Sequence, residues 1–200
     1  MYNKCSCHGA SLIQMGTSVT NHVGDSKCRE VLKKKLGMGT VCTFLKHSIL
    51  LDEYELRKKS LEFVGKQTCS VINTAAFMSL SQSHDGIDVV VGLHTLSGTS
   101  ERQLYEACVK WARHQLLQLR NKDPSDEDIR DALGGALYKI RFPTMTLKAF
   151  GEITTHSKIL SAEEKHDVYV YMATGEKLET LKFLSHRRDQ MDDRVIIRFN

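Results

Sequence analysis

Proline is almost absent from this chain, and this scarcity constrains the fold more than any other feature. Only Pro124 and Pro143 interrupt the 200 residues. Proline breaks helices because it lacks a backbone N–H and clashes with the preceding turn, so long proline-free stretches favour helix. Within them apolar residues recur at spacings of three and four, the period of one helix face. The sequence predicts an all-α fold of stacked antiparallel helix pairs, with a largely irregular N-terminus and C-terminal tail.

The composition excludes several classes of protein. Hydrophobic residues make up 41% and charged residues 26%, as in ordinary globular proteins. No apolar run approaches the roughly 20 residues of a membrane span, and the first 20 residues do not resemble a signal peptide. The cysteines lack the spacing of a disulfide framework, so we interpret them as reduced thiols. They are Cys5, Cys7, Cys28, Cys42, Cys69 and Cys108. A cytoplasmic protein outside the membrane is expected.

The first clear helix pair is predicted between residues 40 and 65. One helix covers residues 40–50, with Thr40 as its N-cap. After a tight turn, Asp52 and Glu55 have capping spacing for a second helix, and Gly65 is expected to end it. The apolar stripe of the first helix contains Val41, Phe44, Leu45, Ser48 and Ile49. Because the turn is short, the two helices should be antiparallel.

The local pattern is weaker between residues 68 and 93. The stretch TCSVINTAAFMSLSQ predicts one or two short helices with Ile72, Ala76, Phe77 and Leu80 pointing inward. The run IDVVVGL, residues 87–93, has high β-propensity. An isolated strand, however, has no partner for its backbone groups, so a helix or an irregular segment is expected instead.

Capping patterns define the later helices. Ser100 and Gln103 open the longest one, which reaches about Leu119 and carries Trp111 in an apolar stripe; we interpret this indole as core. Ser125 caps a helix that is expected to carry an apolar stripe as far as Ile140 and to end at Phe142, before Pro143. Gly134 and Gly135 inside that helix are expected to allow a neighbour to approach closely. A short helix is predicted to begin at Thr146. Another is predicted to begin at the capping box formed by Ser161 and Glu164 and to end at Gly175.

No motif for catalysis or cofactor binding is present. The chain has no G-x-S-x-G elbow, phosphate loop, dinucleotide-binding glycine pattern or H-E-x-x-H. Cys5, Cys7 and His8 offer three soft metal ligands, but a structural zinc site needs four. His84 and Asp85 are adjacent and precede a glycine, which is typical of a surface loop rather than a proton relay. We therefore expect no enzyme activity, no metal and no cofactor.

Two basic runs leave a second function open. The net charge is +4, and basic residues cluster at residues 33–35 and 186–188. Such clusters suit nucleic-acid phosphates, but no aromatic residues are interleaved to stack on bases. Solvated helix faces are the favoured interpretation. A basic helical protein that binds nucleic acid through residues 27–35 and 186–188 remains the alternative, and salt-sensitive binding would distinguish it from apolar docking.

Three stretches resemble one known family, the BACK region of BTB/POZ proteins. They are VCTFLKHSILLDEYELRKKSLEFVGKQT, LSGTSERQLYEACVKWA and ALYKIRFPTMTLKAFGE, in that order. The chain is most similar to the subgroup in which a BTB domain, a BACK region and a PHR β-sandwich follow one another. The resemblance implies stacked helix pairs of BACK type.

The resemblance also implies a division of the chain into four parts. Residues 1–26 are a poorly ordered segment, and residues 27–37 correspond to the last helix of a BTB-like domain. Residues 38–175 contain the 3-box helix pair and the BACK helices. Residues 176–200 are a charged tail that leads towards an absent PHR domain. Most of the BTB domain is expected to be missing, in either a natural short form or a fragment.

In this family the BTB domain and the 3-box hold cullin-3, and the remainder positions a substrate for ubiquitin transfer. The resemblance therefore implies a non-catalytic adaptor or scaffold fragment of a cullin-3 ubiquitin ligase, with an unidentified substrate. The expected contact residues are Val41, Phe44, Leu45 and Ile49. Binding to cullin-3 should be weak without the BTB domain, and any oligomer should form only through that missing domain.

Overall fold

Ten α-helices account for most of the described chain. The computed structural model describes residues 35–82, 86–120 and 123–188. Within them lie ten α-helices, a 3₁₀ turn at Phe142–Thr144, and no β-strand, which confirms the all-α prediction. The helices are α1 (Val41–Leu50), α2 (Tyr54–Lys66), α3 (Thr68–Val71), α4 (Ala75–Met78), α5 (Ile87–Gly92), α6 (Glu101–Arg120), α7 (Asp126–Leu133), α8 (Gly135–Lys139), α9 (Leu147–Thr154) and α10 (Ala162–Thr174). A continuous cluster of buried apolar side chains joins them.

Helices α1 and α2 pack against each other across a three-residue turn. The turn reverses the chain because Asp52 adopts a φ of +53°, a left-handed conformation that aspartate tolerates better than most residues. The predicted pair is therefore present. The segment 1–26 and most of the helix predicted over 27–36 lie outside the described residues.

Thr40 is the N-cap residue of α1, as predicted, but its side chain makes no capping bond; its hydroxyl donates to the carbonyl of Lys35 (2.9 Å) and accepts from the amide of Gly37 (3.0 Å). Two details of this pair were predicted wrongly. Asp52 occupies the turn instead of capping α2. Gly65 does not end α2, since it lies buried within the last turn with no positive φ.

The weakly patterned region between residues 68 and 93 forms three short helices, as predicted. Helices α3 and α4 account for the first stretch, and the Thr74 hydroxyl accepts from the Phe77 amide (3.2 Å) to cap α4. Ile72, Phe77 and Leu80 are buried, while Ala76 is partly buried. The valine-rich run forms α5, because tertiary packing overrides its β-propensity.

Helix α6 is the longest element, and its predicted cap and core residue are confirmed. The Ser100 amide donates to Gln103 Oε1 (2.9 Å), and the Gln103 amide donates to Ser100 Oγ (3.2 Å). Trp111 is 1% exposed, and its indole Nε1 donates to the carbonyl of Leu80 (3.0 Å). The indole therefore ties α6 to the segment after α4.

The single helix predicted from Ser125 to Phe142 is instead two helices. Ser125 caps α7 as predicted, in a reciprocal pair with Asp128. Gly134 then adopts φ +47° and ψ −127°, so the helix is interrupted between α7 and α8. The glycine provides a backbone conformation that side-chain-bearing residues rarely adopt, rather than room for a neighbour. Helix α8 ends at Lys139, before the predicted stop. Pro143 therefore does not end a helix; it lies inside the 3₁₀ turn.

The predicted starts of the last two helices and the predicted end of the second are confirmed. The Thr146 hydroxyl accepts from the Ala149 amide (3.2 Å) at the start of α9. Ser161 and Glu164 form a reciprocal capping box on α10, and Gly175 ends that helix with a φ of +75°.

The chain after α10 contains no helix up to residue 188, but it packs on the core. Leu181 and Phe183 are buried. The Phe183 ring lies 5.6 Å from Tyr138 and 4.9 Å from Phe142, measured between ring centroids. The described half of the predicted charged tail is therefore an integral part of the fold.

Candidate partner-binding surface

The four predicted contact residues share helix α1 but differ in exposure. Val41 and Leu45 are fully buried and belong to the core. Phe44 is half-buried, and Ile49 packs against the core while keeping part of its surface exposed. A partner approaching this helix would therefore reach Phe44 and Ile49 directly, whereas Val41 and Leu45 hold the helix in place.

A more exposed apolar surface lies at the turn that follows. Leu50 is 70% exposed, Leu51 is 58% exposed and Tyr54 is 57% exposed. We call these three residues the turn patch. Single exposed apolar residues are common, but adjacent ones are typical of binding surfaces. The patch was missed because its residues fall outside the helical stripe; the signal was a pair of leucines at a turn, where polar residues are usual.

The backbone beneath the turn patch is firmly held. The Glu53 amide donates to the carbonyl of Ser48 (2.7 Å), and the Asp52 amide donates to the carbonyl of Ile49 (3.2 Å). The buried Ser48 hydroxyl donates to the carbonyl of Leu45 (2.7 Å). Because these bonds fix the turn before any partner arrives, binding loses little entropy from ordering it.

A partly buried ion pair connects α7 to α10. Arg130 donates from its two terminal nitrogens to the Glu164 carboxylate, at 2.8 Å each, and to the hydroxyl of Tyr138 (3.0 Å). Glu164 is 4% exposed. The Arg130 guanidinium lowers the pKa of this carboxyl to about 2, because charge-assisted hydrogen bonds favour the ionised form. The pair is structural, since its groups already satisfy one another.

A second buried ion pair fixes the end of the described chain. The Arg188 guanidinium donates to the Glu101 carboxylate and to the carbonyls of Val91 (2.9 Å), Lys139 (3.1 Å) and Leu93. The Arg188 side chain is only 7% exposed. It therefore lies neither on a solvated face, as we predicted, nor at a surface open to nucleic acid.

The described thiols and acids do not form a reactive centre. Cys42 and Cys108 are buried free thiols, and burial raises the pKa of each to about 12, which suppresses the nucleophilic thiolate. Cys69 is a free thiol on the surface. Among residues 35–82, 86–120 and 123–188, no three His, Cys, Asp or Glu side chains converge as metal ligands.

Several predicted features lie outside the described residues. They include the candidate ligands Cys5, Cys7 and His8, the His84–Asp85 pair, and most of the basic run 33–35. None of the described helices combines the length and apolarity needed to cross a bilayer.

The sequence matches known proteins through the region that contains α1 to α9. The sequence model of the BACK family, "BTB And C-terminal Kelch", matches residues 41–155. Human BTB/POZ domain-containing protein 6 is 29% identical over 149 residues, which cover 74% of this chain and 27% of that protein. Human BTB/POZ domain-containing protein 3 is 28% identical over 161 residues, which cover 80% of this chain and 30% of that protein. The chain thus spans less than a third of these relatives, and no solved structure matches.

Proposed function

The chain belongs to the BACK family, whose sequence model matches residues 41–155, and its relatives are BTB/POZ proteins of a protein-interaction adaptor family. On this premise we propose that it is a non-catalytic scaffold that joins cullin-3 to a ubiquitination substrate. The helix pair α1–α2, together with a BTB domain, would bind cullin-3. The remaining helices would hold the substrate-binding part at a fixed separation.

The observation that carries this proposal is the apolar turn patch on a rigid helix pair. Leu50, Leu51 and Tyr54 are each more than half exposed, and the hydrogen bonds beneath them hold the turn in one conformation. Fully burying one such side chain contributes about 1.5 to 3 kcal/mol. The patch therefore supplies useful binding energy but only a fraction of a stable interface, which buries about 1,200 to 2,000 Å² in total.

The proposal keeps the four predicted contact residues of α1 but gives them different roles. Phe44 and Ile49 are its accessible members and would extend the turn patch along α1. Val41 and Leu45, which are fully buried, would act by supporting the helix. A charge placed at either buried position would disrupt the core, so loss of binding there would not identify a contact.

A double substitution in the turn patch tests the proposal. With a BTB domain fused before Lys27, the chain should bind cullin-3 in calorimetry. The change of Leu50→Asp together with Leu51→Asp should weaken that binding at least tenfold, because two apolar contacts are replaced by charges that must lose their water. Unchanged circular dichroism would show that the fold survives, as expected for such exposed positions.

A matched control is available on another helix. Leu119 is 80% exposed near the end of α6, so Leu119→Asp introduces the same chemistry away from the turn. This variant should bind cullin-3 like the unchanged fusion. Equal affinity of the turn-patch variant and the control would refute the assignment of the contact to the α1–α2 turn.

The proposal also covers the location, the absence of catalysis and the oligomeric state of the protein. A cytoplasmic location is supported by the free thiols of Cys42, Cys69 and Cys108, which fit a reducing compartment. A role without catalysis is supported by the engagement of Glu101 and Glu164 in structural ion pairs. Oligomers would form through the BTB domain.

A further inference from the structure

A polar cleft lies between the first two turns of α10 and the chain segment at residues 180–182. Its volume is about 470 Å³. One wall consists of Thr180 and Lys182. The α10 residues of the other wall are Ala162, Glu163, Glu164, His166 and Asp167. The proposed cullin-3 contact uses none of these residues.

Asp167 is the residue that points to a ligand. It is only 7% exposed, yet its carboxylate forms no hydrogen bond or ion pair with any residue in the described ranges, 35–82, 86–120 and 123–188. Burial of a carboxylate without a partner costs free energy, so buried charges in proteins are normally paired. Because Asp167 also lines the cleft, a cation bound there would supply a partner for it.

The two neighbouring acids have other reasons for their positions. Glu164 accepts two hydrogen bonds from Arg130, at 2.8 Å each. Glu163 is exposed in the first turn of α10, where a carboxylate stabilises the helix through its dipole whatever else it binds. Asp167 lies in the second turn, where this effect has faded. Glu163 therefore adds negative charge to the cleft, whereas Asp167 is the acid that needs a partner.

The charges around the cleft favour a cation. The lining contains three carboxylates and one ammonium group, that of Lys182. Arg130 offsets the charge of Glu164, which leaves Glu163 and Asp167 against Lys182. The Lys182 side chain is 61% exposed, and its Nζ lies 3.8 Å from the Glu164 carboxylate. An ion pair this exposed is weak, so Lys182 does not close the cleft to another cation.

An arginine side chain suits the cleft better than a metal ion. Among the residues that the structure describes, no three His, Cys, Asp or Glu side chains converge as metal ligands. Glu163 and Asp167 are four residues apart on α10 and so lie on the same helix face. A planar guanidinium can bond two carboxylates at once, whereas an ammonium acts as a point charge. The Arg102 guanidinium already does this within the chain, where it donates to Glu106 and Glu152.

We propose that this cleft binds an arginine side chain of a partner protein. The guanidinium would donate to the carboxylates of Asp167 and Glu163, and the Thr180 hydroxyl would accept a further hydrogen bond. This site goes beyond the proposed cullin-3 contact and does not depend on a BTB domain.

Titration of the unfused chain with N-acetyl-arginine methylamide tests the inference. Two-dimensional ¹H–¹⁵N NMR should show saturable shifts of the amides of residues 162–167 and 180–182, with half-saturation below about 10 mM. N-acetyl-citrulline methylamide has nearly the same shape but no charge, and it should bind at least tenfold more weakly. The lysine analogue should also bind more weakly than the arginine analogue.

Three variants locate the site. Asp167→Asn and Glu163→Gln should each weaken binding of the arginine analogue at least threefold. Lys182→Gln removes a competing cation and should strengthen that binding. Asp131→Asn and Glu55→Gln neutralise exposed acids outside the cleft and should have no effect.

Unfolding in urea shows whether Asp167 instead holds the fold together. Because Asp167→Asn removes a buried charge without a partner, it should not lower the urea midpoint. A lower midpoint would mean that the carboxylate has a structural role, and this result would overturn the inference.

Several NMR results would also overturn it. They are the absence of saturable shifts up to about 10 mM, equal binding of the arginine and citrulline analogues, and equal effects of the cleft and control variants. Shifts at the cleft with millimolar Ca²⁺ but not with the arginine analogue would make it a metal site instead. None of these results bears on cullin-3, because the probes and the variants leave the turn patch unchanged.

Discussion

Replacing Trp111 should test how the helices are held together. The indole is 1% exposed, and its Nε1 donates to the carbonyl of Leu80 (3.0 Å). Trp111→Ala removes a large buried ring, and such truncations cost about 3 to 5 kcal/mol. The side-chain amide of Gln115 lies 3.5 Å from the same carbonyl and so softens the loss of the hydrogen bond. We expect a decrease in unfolding free energy of about 3 to 5 kcal/mol.

Urea denaturation followed by circular dichroism measures this decrease. Fluorescence is unsuitable because Trp111 is the only tryptophan of the chain.

A loss of about 3 to 5 kcal/mol is a large part of the stability of a typical domain, so Trp111→Phe, which keeps an aromatic ring, provides a second measurement. It should cost less than Trp111→Ala. Leu119→Ala, at an 80% exposed position, should change stability by under about 0.5 kcal/mol. A cost below about 1 kcal/mol for Trp111→Ala would contradict the core assignment.

Two further predictions follow from ionisable groups. The pKa of Glu164 is lowered to about 2 by Arg130, below the ordinary value of about 4.3, so its stabilisation is present above about pH 4.5 and lost as the pH falls towards 2. Glu164→Gln should remove that part of the pH dependence in acid denaturation, and an unchanged acid profile would contradict the ion pair. Iodoacetamide should label Cys69 in the folded chain but spare Cys42 and Cys108 until urea is added, as read by peptide mass spectrometry; equal labelling of all three without urea would contradict their burial.

Features that depend on neighbouring residues could be predicted from the sequence. The cap at Ser125, the capping box at Ser161 and the stop at Gly175 each involve residues within a few positions of one another, so the sequence contains both partners of the interaction. The apolar stripe around Trp111 is likewise local. These elements have the predicted boundaries because tertiary contacts reinforce the local preferences.

Features that depend on distant partners could not be predicted in this way. Arg188 appears in a basic run, but its partner Glu101 lies 87 residues earlier in the chain. Leu181 and Phe183 stand among charged residues without a helical period, and only the fold shows that they are buried. A glycine such as Gly134 can be tolerated inside a helix, and the sequence does not show its conformation; its positive φ divides the helix in two.

The candidate site shows the same limit. Helical periodicity correctly placed Val41, Phe44, Leu45 and Ile49 on one helix, but it did not reveal which of them a partner can reach. That distinction depends on which neighbours cover each side chain. The turn patch lies beyond the periodic stripe; two leucines at a turn were its only sign in the sequence, and the structure shows how exposed they are.

The most direct test of the scaffold proposal compares cullin-3 binding by the unfused chain and by the chain with a BTB domain fused before Lys27. The α1–α2 pair supplies only a fraction of the area of a stable interface, so we expect no detectable binding by the unfused chain at micromolar concentration in calorimetry. The fusion should bind in the same measurement. Submicromolar binding by the unfused chain, or no binding by a folded fusion, would contradict the proposal that the BTB domain and the α1–α2 pair share the contact.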